Sequence, residues 1–447
     1  MSDIYAQLVD KIKKRNATIG IFGLGYVGLS LAIAATKAGY KVIGIDINYE
    51  RIKKIKNGKS YISDIKDSTI LQALNKKLLI PTSNFDELHN IDIICICVPT
   101  PVNVHHEPAI SDIINSTKNI AKYLHSGQLI ILESTTYPGT TRQVILPILN
   151  KSPLPPLLKG ARRPSIGKDY FLAFSPERIN PGDKAFNTKN TPKIVGGITQ
   201  KCTNLAHFFY SQFIDKVIKV SSPEIAEAEK LFENIFRNVN IALANEMAML
   251  CKKLDIDIWE VISAAATKPY GFMPFYPGIG IGGHCIPLDP LYLIWKAKKS
   301  GFNSKFIKLA VKINQEMPNY VVRILKKELI SRNVQFKSAR ILVLGLAYKK
   351  NVNDYRESPS LKIFSALLDK NIPVDFNDPY IPKVKIKNKI FNSTKLNYKN
   401  LYKYDAILIA TDHTRYNYNY LVKNSKLVFD TRNATKNIIS NKIIKVI

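Results

Sequence analysis

One cysteine, Cys285, lies in the segment 271–289, Gly-Phe-Met-Pro-Phe-Tyr-Pro-Gly-Ile-Gly-Ile-Gly-Gly-His-Cys-Ile-Pro-Leu-Asp, with a carboxylate, Asp289, four residues on. Five glycines and three prolines in that span exclude a continuous helix or strand and let backbone N–H groups approach a ligand closely. A thiol in such a loop suits covalent catalysis, because thiolate is a strong nucleophile even at modest ionisation. Taken alone, Cys285 reads equally as a cysteine in a turn. A second pair lies upstream: Lys230 and Asn234 are four apart in Glu227-Ala-Glu-Lys-Leu-Phe-Glu-Asn234 and share one helical face. Arg237, Asn238, Ile241 and Asn245 follow nearby, which makes that face polar for a helix rich in Ala, Leu and Met. A lysine and an amide so placed either sit in solvent or point into a cleft, where they hold a water or stabilise an oxyanion. Spacing alone leaves both readings open.

The elements that would position these groups begin near the N-terminus. Residues 17–22 read as a short buried strand running directly into Gly23-Leu-Gly-Tyr-Val-Gly28. A helical pattern follows over 29–37, then Gly39, then a second strand over 41–46 that ends in Asp46. This is the strand, glycine turn, helix, strand unit of a dinucleotide-binding fold. Gly23 permits the tight turn, Gly25 admits a pyrophosphate to the backbone, and Gly28 allows helix and strand to pack closely. Asp46, eighteen residues after Gly28, is placed to accept hydrogen bonds from ribose hydroxyls and would repel a 2′-phosphate, so NAD is expected rather than NADP. Further strands end in Pro99-Thr-Pro101, in Glu133-Ser-Thr-Thr136 and in Ser175-Pro-Glu-Arg178. Carboxyl ends of strands are where such sheets bind ligands, which brings Thr100, Thr135 and Glu177 into the candidate site.

Strands and helices alternate from 17 to about 220, as a doubly wound parallel sheet requires. The pattern then becomes a long helix over 223–255, with more helix to 266 and a second run over 303–332 that Pro318 should kink or divide. A second strand-turn-helix unit opens at Arg340, with Gly345 but without the three-glycine fingerprint, so this domain should bind something other than NAD. Three domains are expected: a Rossmann-type NAD domain over 1–220, a central helical domain with the Cys285 loop over 221–325, and a Rossmann-like domain over 326–447. The proline-rich basic segment between Asn150 and Lys168 reads as an exposed loop without chemistry.

Composition excludes several classes. The net charge is +30, but 13 arginines among 65 basic residues leave 52 lysines, and these are scattered. That reads as compositional drift rather than an arginine-rich nucleic-acid face, so no specific nucleic-acid partner is expected. The apolar stretch 19–36 carries four glycines and strand signals, which argues against a membrane span. The first sixteen residues lack the apolar core of a secretory signal, so the expected location is the cytoplasm, with its five cysteines reduced. The His105-His106 and His284-Cys285 pairs are isolated, so no metal site is expected.

Seven elements in order resemble the nucleotide-sugar (UDP-sugar) 6-dehydrogenases: Gly23-Leu-Gly-Tyr-Val-Gly-Leu29, Val98-Pro-Thr-Pro101, Glu133-Ser-Thr135, Ser175-Pro-Glu177, Lys230-x-x-x-Asn234, Gly282-Gly-His-Cys-Ile-Pro-Leu-Asp289, and Gly345-Leu-Ala-Tyr-Lys349 through Arg356-Glu-Ser-Pro359. The form of the cysteine loop looks most like the branch acting on UDP-N-acetylglucosamine. The resemblance implies oxidation of a primary alcohol at C6 to a carboxylate with two NAD, through a thiohemiacetal and a thioester on Cys285. It implies that Lys230 and Asn234 stabilise charge at the C6 oxygen, that Thr135 and Asp289 position water, and that Glu177 assists proton transfer. Cofactor contacts would come from Gly23, Gly25, Tyr26, Val27, Gly28, Asp46, Arg51, Pro99, Thr100, Thr135 and Arg356. Lys230, Asn234, Tyr276, Gly278, Gly280, Gly282, Lys349 and Arg432 would meet the UDP-sugar. It also implies a homodimer built on the long helix and a role in supplying a bacterial surface polysaccharide. UDP-glucose or UDP-N-acetylmannosamine is the alternative substrate, and an inactive NAD-binding scaffold the distant one. Ile279 stands where a proline is expected, and Ala109 and Arg142 stand where acids are expected.

Overall fold

The computed structural model describes residues 3–62, 64–103, 105–151, 164–178 and 185–447. Most of the proline-rich basic segment, residues 152–163, lies outside the described residues. The chain divides into two compact units, Met1–Phe232 with Leu291–Ser300, and Glu233–Pro290 with Gly301–Ile447.

The first unit is built on eight strands: β1 Thr18–Phe22, β2 Lys41–Ile45, β3 Leu79–Thr82, β4 Ile93–Ile96, β5 Gln128–Leu132, β6 Tyr170–Phe174, β7 Lys193–Gly197 and β8 Val217–Val220. They lie in the order β3-β2-β1-β4-β5-β6-β7-β8. Every pairing is parallel except β6 with β7, so the far edge reverses direction. Strand side chains alternate between two cores: Ile19, Ile21, Ile93, Cys95, Leu129 and Ile131 face one, and Phe22, Ile43, Ile94, Ile96, Ile130 and Leu132 the other. That two-sided burial is why these strands read as continuous apolar runs. The Tyr26–Lys37 helix begins inside the glycine turn rather than at residue 29, which makes Tyr26 and Val27 its first residues.

The second unit carries a five-stranded parallel sheet of β9 Ile341–Leu344, β10 Val374–Asn377, β13 Ala406–Ile409, β14 Val428–Asp430 and β15 Ile443–Lys445, in the order β10-β9-β13-β14-β15. A hairpin of β11 Lys383–Ile386 and β12 Lys389–Asn392 stands apart from it. The Pro223–Lys253 helix crosses the division between the units. The Lys305–Ile330 helix runs unbroken through Pro318, which is buried, so the expected division there does not occur.

Candidate active site

The glycine turn of the first unit is built as a dinucleotide cradle. Gly23 has φ +86, and a Cβ there would lie 2.6 Å from the Cys97 carbonyl oxygen, so only glycine lets the tails of β1 and β4 meet. A Cβ on Gly28 would run into the carbonyl oxygen of Gly23. A Cβ on Gly25, by contrast, would meet nothing within 4 Å. Gly25 is also the N-cap of the Tyr26–Lys37 helix and no side chain caps it. Open space above an uncapped helix start fits a pyrophosphate. Beside it, buried Asp46 accepts from Leu24 N–H at 2.8 Å and Asn48 N–H at 2.8 Å, and Arg51 Nη1 sits 3.2 Å from its carboxylate. Pro99 is exposed and Thr100 buried; the Thr100 carbonyl accepts from the Tyr292 hydroxyl.

The tails of β5 and β6 are anchored by buried charge. Ser134 Oγ donates to the Val98 carbonyl at 2.7 Å, which ties the segment carrying half-buried Thr135 to the end of β4. Glu133 and Lys193, both buried, pair at 2.8 Å, and the Tyr210 hydroxyl donates to the other carboxylate oxygen. Lys193 Nζ also reaches the Pro176 carbonyl at 3.3 Å, one residue before half-buried Glu177. Burial works against the Lys193 charge, but Glu133 and then Glu177 outweigh it and raise the lysine pKa, so the ammonium stays protonated. Glu227 is fully buried and accepts from Gly139 N–H at 2.5 Å, Thr141 N–H at 2.8 Å and Thr141 Oγ at 2.7 Å. Burial pushes its carboxyl up to about 7 against those bonds. Lys230, on the same helix, is half-buried. Burial first, and then Glu133, also pushes the thiols of Cys95 and Cys97 far above the usual range, which leaves both unreactive.

In the second unit, buried amides hold the cysteine loop. Asn234, Asn238 and Asn245 are buried on one face of the Pro223–Lys253 helix. Asn234 Nδ2 donates to Asp289 at 2.5 Å, and Asn238 Nδ2 to the Ile286 carbonyl at 3.3 Å. Asn245 accepts from Gly278 N–H at 2.8 Å and donates to Asn314 at 2.9 Å, and Asn314 returns a bond to the Asn238 carbonyl at 2.9 Å. Of the polar face expected from the sequence, Asn234, Asn238 and Asn245 are the scaffold of the loop, whereas Arg237 is exposed; Asn314 completes the scaffold and gave no sequence signal. Asp289 is buried, whereas Cys285 is exposed. The Cys285 carbonyl accepts from Leu288 and Asp289 N–H groups at 3.0 and 2.9 Å, just ahead of the Asp289–Lys299 helix.

The remaining substrate candidates gather around that loop. Tyr276 is exposed with its ring stacked on Trp259 at 5.8 Å. Ile279 is fully buried in the second unit's core, which explains an apolar residue where proline was expected. At Gly278 a Cβ would lie 2.8 Å from the Arg432 guanidinium, at Gly280 2.9 Å from the Asn314 carbonyl oxygen, and at Gly282 2.7 Å from Tyr348 Cβ. Arg432 Nε donates to the Ala410 carbonyl at 2.8 Å. Lys349 is half-buried in the loop after β9. In the same loop Arg356 is clamped by Asp354 at 2.7 Å, and its carbonyl accepts from Gly283 N–H at 3.1 Å. The Arg356 pKa is raised chiefly by the Asp354 hydrogen bond, with smaller contributions from the Asp354 charge, Tyr348 and Cys285. Among the described residues no His, Cys, Asp or Glu cluster could hold a metal, and no helix is long and apolar enough to cross a membrane.

An open pyrophosphate turn on one doubly wound sheet, and a glycine-rich loop that is held by buried amides and carries an exposed cysteine, define a nucleotide-dependent oxidoreductase. The chain belongs to the UDP-glucose/GDP-mannose dehydrogenase family, matching its NAD binding domain over residues 17–214, its central domain over 224–316 and its UDP binding domain over 342–437. It is 36% identical to Protein CapL of Staphylococcus aureus over 93% of this chain and 96% of that one. It is 34% identical to the UDP-N-acetyl-D-glucosamine 6-dehydrogenase of Pseudomonas aeruginosa over 90% and 92% of the two chains. The solved structure of a UDP-D-ManNAc dehydrogenase from Pyrococcus horikoshii superposes with a TM-score of 0.83 at 33% identity, covering 96% of this chain and 97% of that one. The chain is accordingly an NAD-dependent UDP-sugar dehydrogenase.

Proposed function

We propose that this enzyme oxidises C6 of a UDP-N-acetylhexosamine, UDP-N-acetylglucosamine in the first instance, from primary alcohol to carboxylate. The observation carrying this reading is an exposed thiol, Cys285, on a loop whose far end, Asp289, is buried against Asn234. Bound NAD+ supplies the hydride acceptor for each of two oxidations. The alcohol loses hydride and proton to give the aldehyde, and the Cys285 thiol adds across the C=O to form a thiohemiacetal. The thiohemiacetal loses a second hydride and its hydroxyl proton to leave a thioester, and water cleaves this to the carboxylate and regenerates the thiol. The thiol is needed because an aldehyde carbon bears no hydroxyl until a nucleophile adds. Lys230 and Asn234 stabilise the oxygen that becomes anionic. Asp289 and Thr135 position the water, and Glu177 moves its proton. Lys349, Arg432, Tyr276 and the 278–282 backbone hold the UDP-sugar, and the Gly23–Gly28 turn with Asp46, Arg51, Pro99 and Thr100 holds the cofactor, with Arg356 toward the reacting end.

The work divides among an NAD domain over 1–220, a central domain over 221–325 and a UDP-sugar domain over 326–447. Phe236, Leu243, Met247 and Leu250 form an exposed apolar stripe along the long helix, which supports a homodimer through that face. The cytoplasm supplies the NAD and the reducing poise the thiol needs, and the uronic acid product suits assembly of a bacterial surface polysaccharide. UDP-N-acetylmannosamine is the second reading, supported by the 0.83 TM-score to an enzyme named for that sugar. The test is NADH yield per sugar, run to completion with UDP-N-acetylglucosamine, UDP-N-acetylmannosamine and UDP-glucose. Two NADH from the first, abolished in Cys285→Ala, supports the reading; one NADH per sugar ends the thioester mechanism.

A further inference from the structure

In both sheets an acid at the end of the second strand closes the turn after the first. Asp46, after β2, accepts from Leu24 N–H beyond β1. Asp378, after β10, accepts from Leu346 and Ala347 N–H beyond β9 at 2.7 and 2.9 Å, and its other oxygen takes Tyr380 and Ile381 N–H at 2.8 and 3.0 Å. Asp378 thus takes two N–H groups of the second turn where Asp46 takes one of the first, and Ala347 stands where the first turn has Gly25.

Above Asp378 sits a fully buried imidazole, His413, in the loop after β13. Its Nε2 lies 3.2 Å from Asp378 Oδ2, and its Nδ1 lies 2.9 Å from the backbone nitrogen of Asn351. A backbone N–H can only donate, so Nδ1 must offer a lone pair and the ring proton must sit on Nε2, donated to Asp378. Asn351 itself is left-handed, φ +61, and its Oδ1 accepts from Thr414 N–H and Oγ, both at 3.1 Å. The rings of Tyr380 and Tyr416 enclose the imidazole at 5.0 and 5.7 Å, Arg415 lies over the Tyr380 ring, and Lys350 pairs with Asp412 at 3.5 Å. These contacts lace the loop after β9 to the loop after β13, across the point where the strand order reverses. The laced loop carries Lys349, and its Tyr348 and Arg356 contact Gly283 of the cysteine loop.

We propose that His413 is a positioning residue: its neutral, Nε2-protonated ring fixes the 346–356 loop so that Lys349 meets the UDP moiety and the cysteine loop keeps its backing. This rests on the UDP-sugar reading given above. The test compares His413→Ala and His413→Gln in the full-length enzyme, using steady-state kinetics and calorimetric binding of UDP alone. Glutamine can accept from Asn351 and donate to Asp378. The expected result is a rise of at least about tenfold in sugar KM and in UDP Kd for His413→Ala, as losing the hydrogen bonds to both Asn351 and Asp378 implies, with the KM for NAD near wild type and most of the loss restored in His413→Gln. Nitrogen-15 histidine spectra of the wild type should show the Nε2–H tautomer for the signal missing from His413→Gln. A folded His413→Ala with wild-type UDP affinity, equal losses toward both substrates, or an Nδ1–H tautomer overturns the proposal. Should His413→Ala not fold, His413→Gln and the tautomer decide. UDP binding and the tautomer need no turnover, so they judge this inference even if every sugar tested fails as a substrate.

Discussion

Replacing Lys193 by methionine isolates the charge that supports the β5 and β6 tails. Methionine fills a similar volume but leaves Glu133, 1% exposed, without its cation and the Pro176 carbonyl without its donor. Breaking a buried pair from one side costs about 3–5 kcal/mol, because the remaining charge has neither water nor partner. For a unit of this size each kcal/mol moves Tm by about 2–4 °C, so the first unit should melt about 6–20 °C lower. Calorimetry resolves that transition, and the double variant Glu133→Leu with Lys193→Met should recover most of the loss, since no charge is then stranded. The single variant should also lose stability as pH rises through the range where Glu133 must ionise unpaired. A drop below about 1 kcal/mol for Lys193→Met, or a double variant no better than the single, would show that the buried cation is not what sustains Glu133.

Gly25→Ala should leave the melting temperature nearly unchanged, because a Cβ there meets nothing within 4 Å, while raising the KM for NAD; Gly28→Ala should instead lower the melting temperature, because its Cβ runs into the Gly23 carbonyl. Glu227, whose carboxyl is raised to about 7 by burial, binds its proton more tightly folded than unfolded. Its stabilisation is therefore complete below about pH 4.5 and is lost as pH rises to about 7, roughly 3 kcal/mol in all. Denaturant midpoints across that range check the slope, which Glu227→Gln should flatten. Asn245→Leu strands Gly278 N–H and Asn314, and should cost about 1–3 kcal/mol while weakening UDP-sugar affinity more than NAD affinity. Equal loss toward both ligands would argue that the amide run does not serve the sugar loop.

Much of the local backbone structure was legible in the chain. The Gly23–Gly28 turn and the strands on either side are legible because each rests on a rule of short range: φ sign, side-chain size, and the apolar runs of doubly buried strands. The same holds for the loop around Cys285, whose glycines announce a backbone held close to something. What the chain could not say was which polar residues face inward. Asn234, Asn238 and Asn245 look like solvated helical positions, and only the buried polar groups they meet, including the Asn314 amide 76 residues from Asn238, distinguish scaffold from surface. The antiparallel edge at β7 was equally hidden, since a strand's direction depends on the path the chain takes to reach it. Lys193 among so many lysines, and His413 with its forced tautomer, gain meaning only from partners 60 and 35 residues away. Sequence determined the strands, helices and glycine turns, because those follow from backbone sterics and side-chain size. Tertiary structure alone decided which charges and amides are buried, because desolvation is a property of the neighbours and not of the residue.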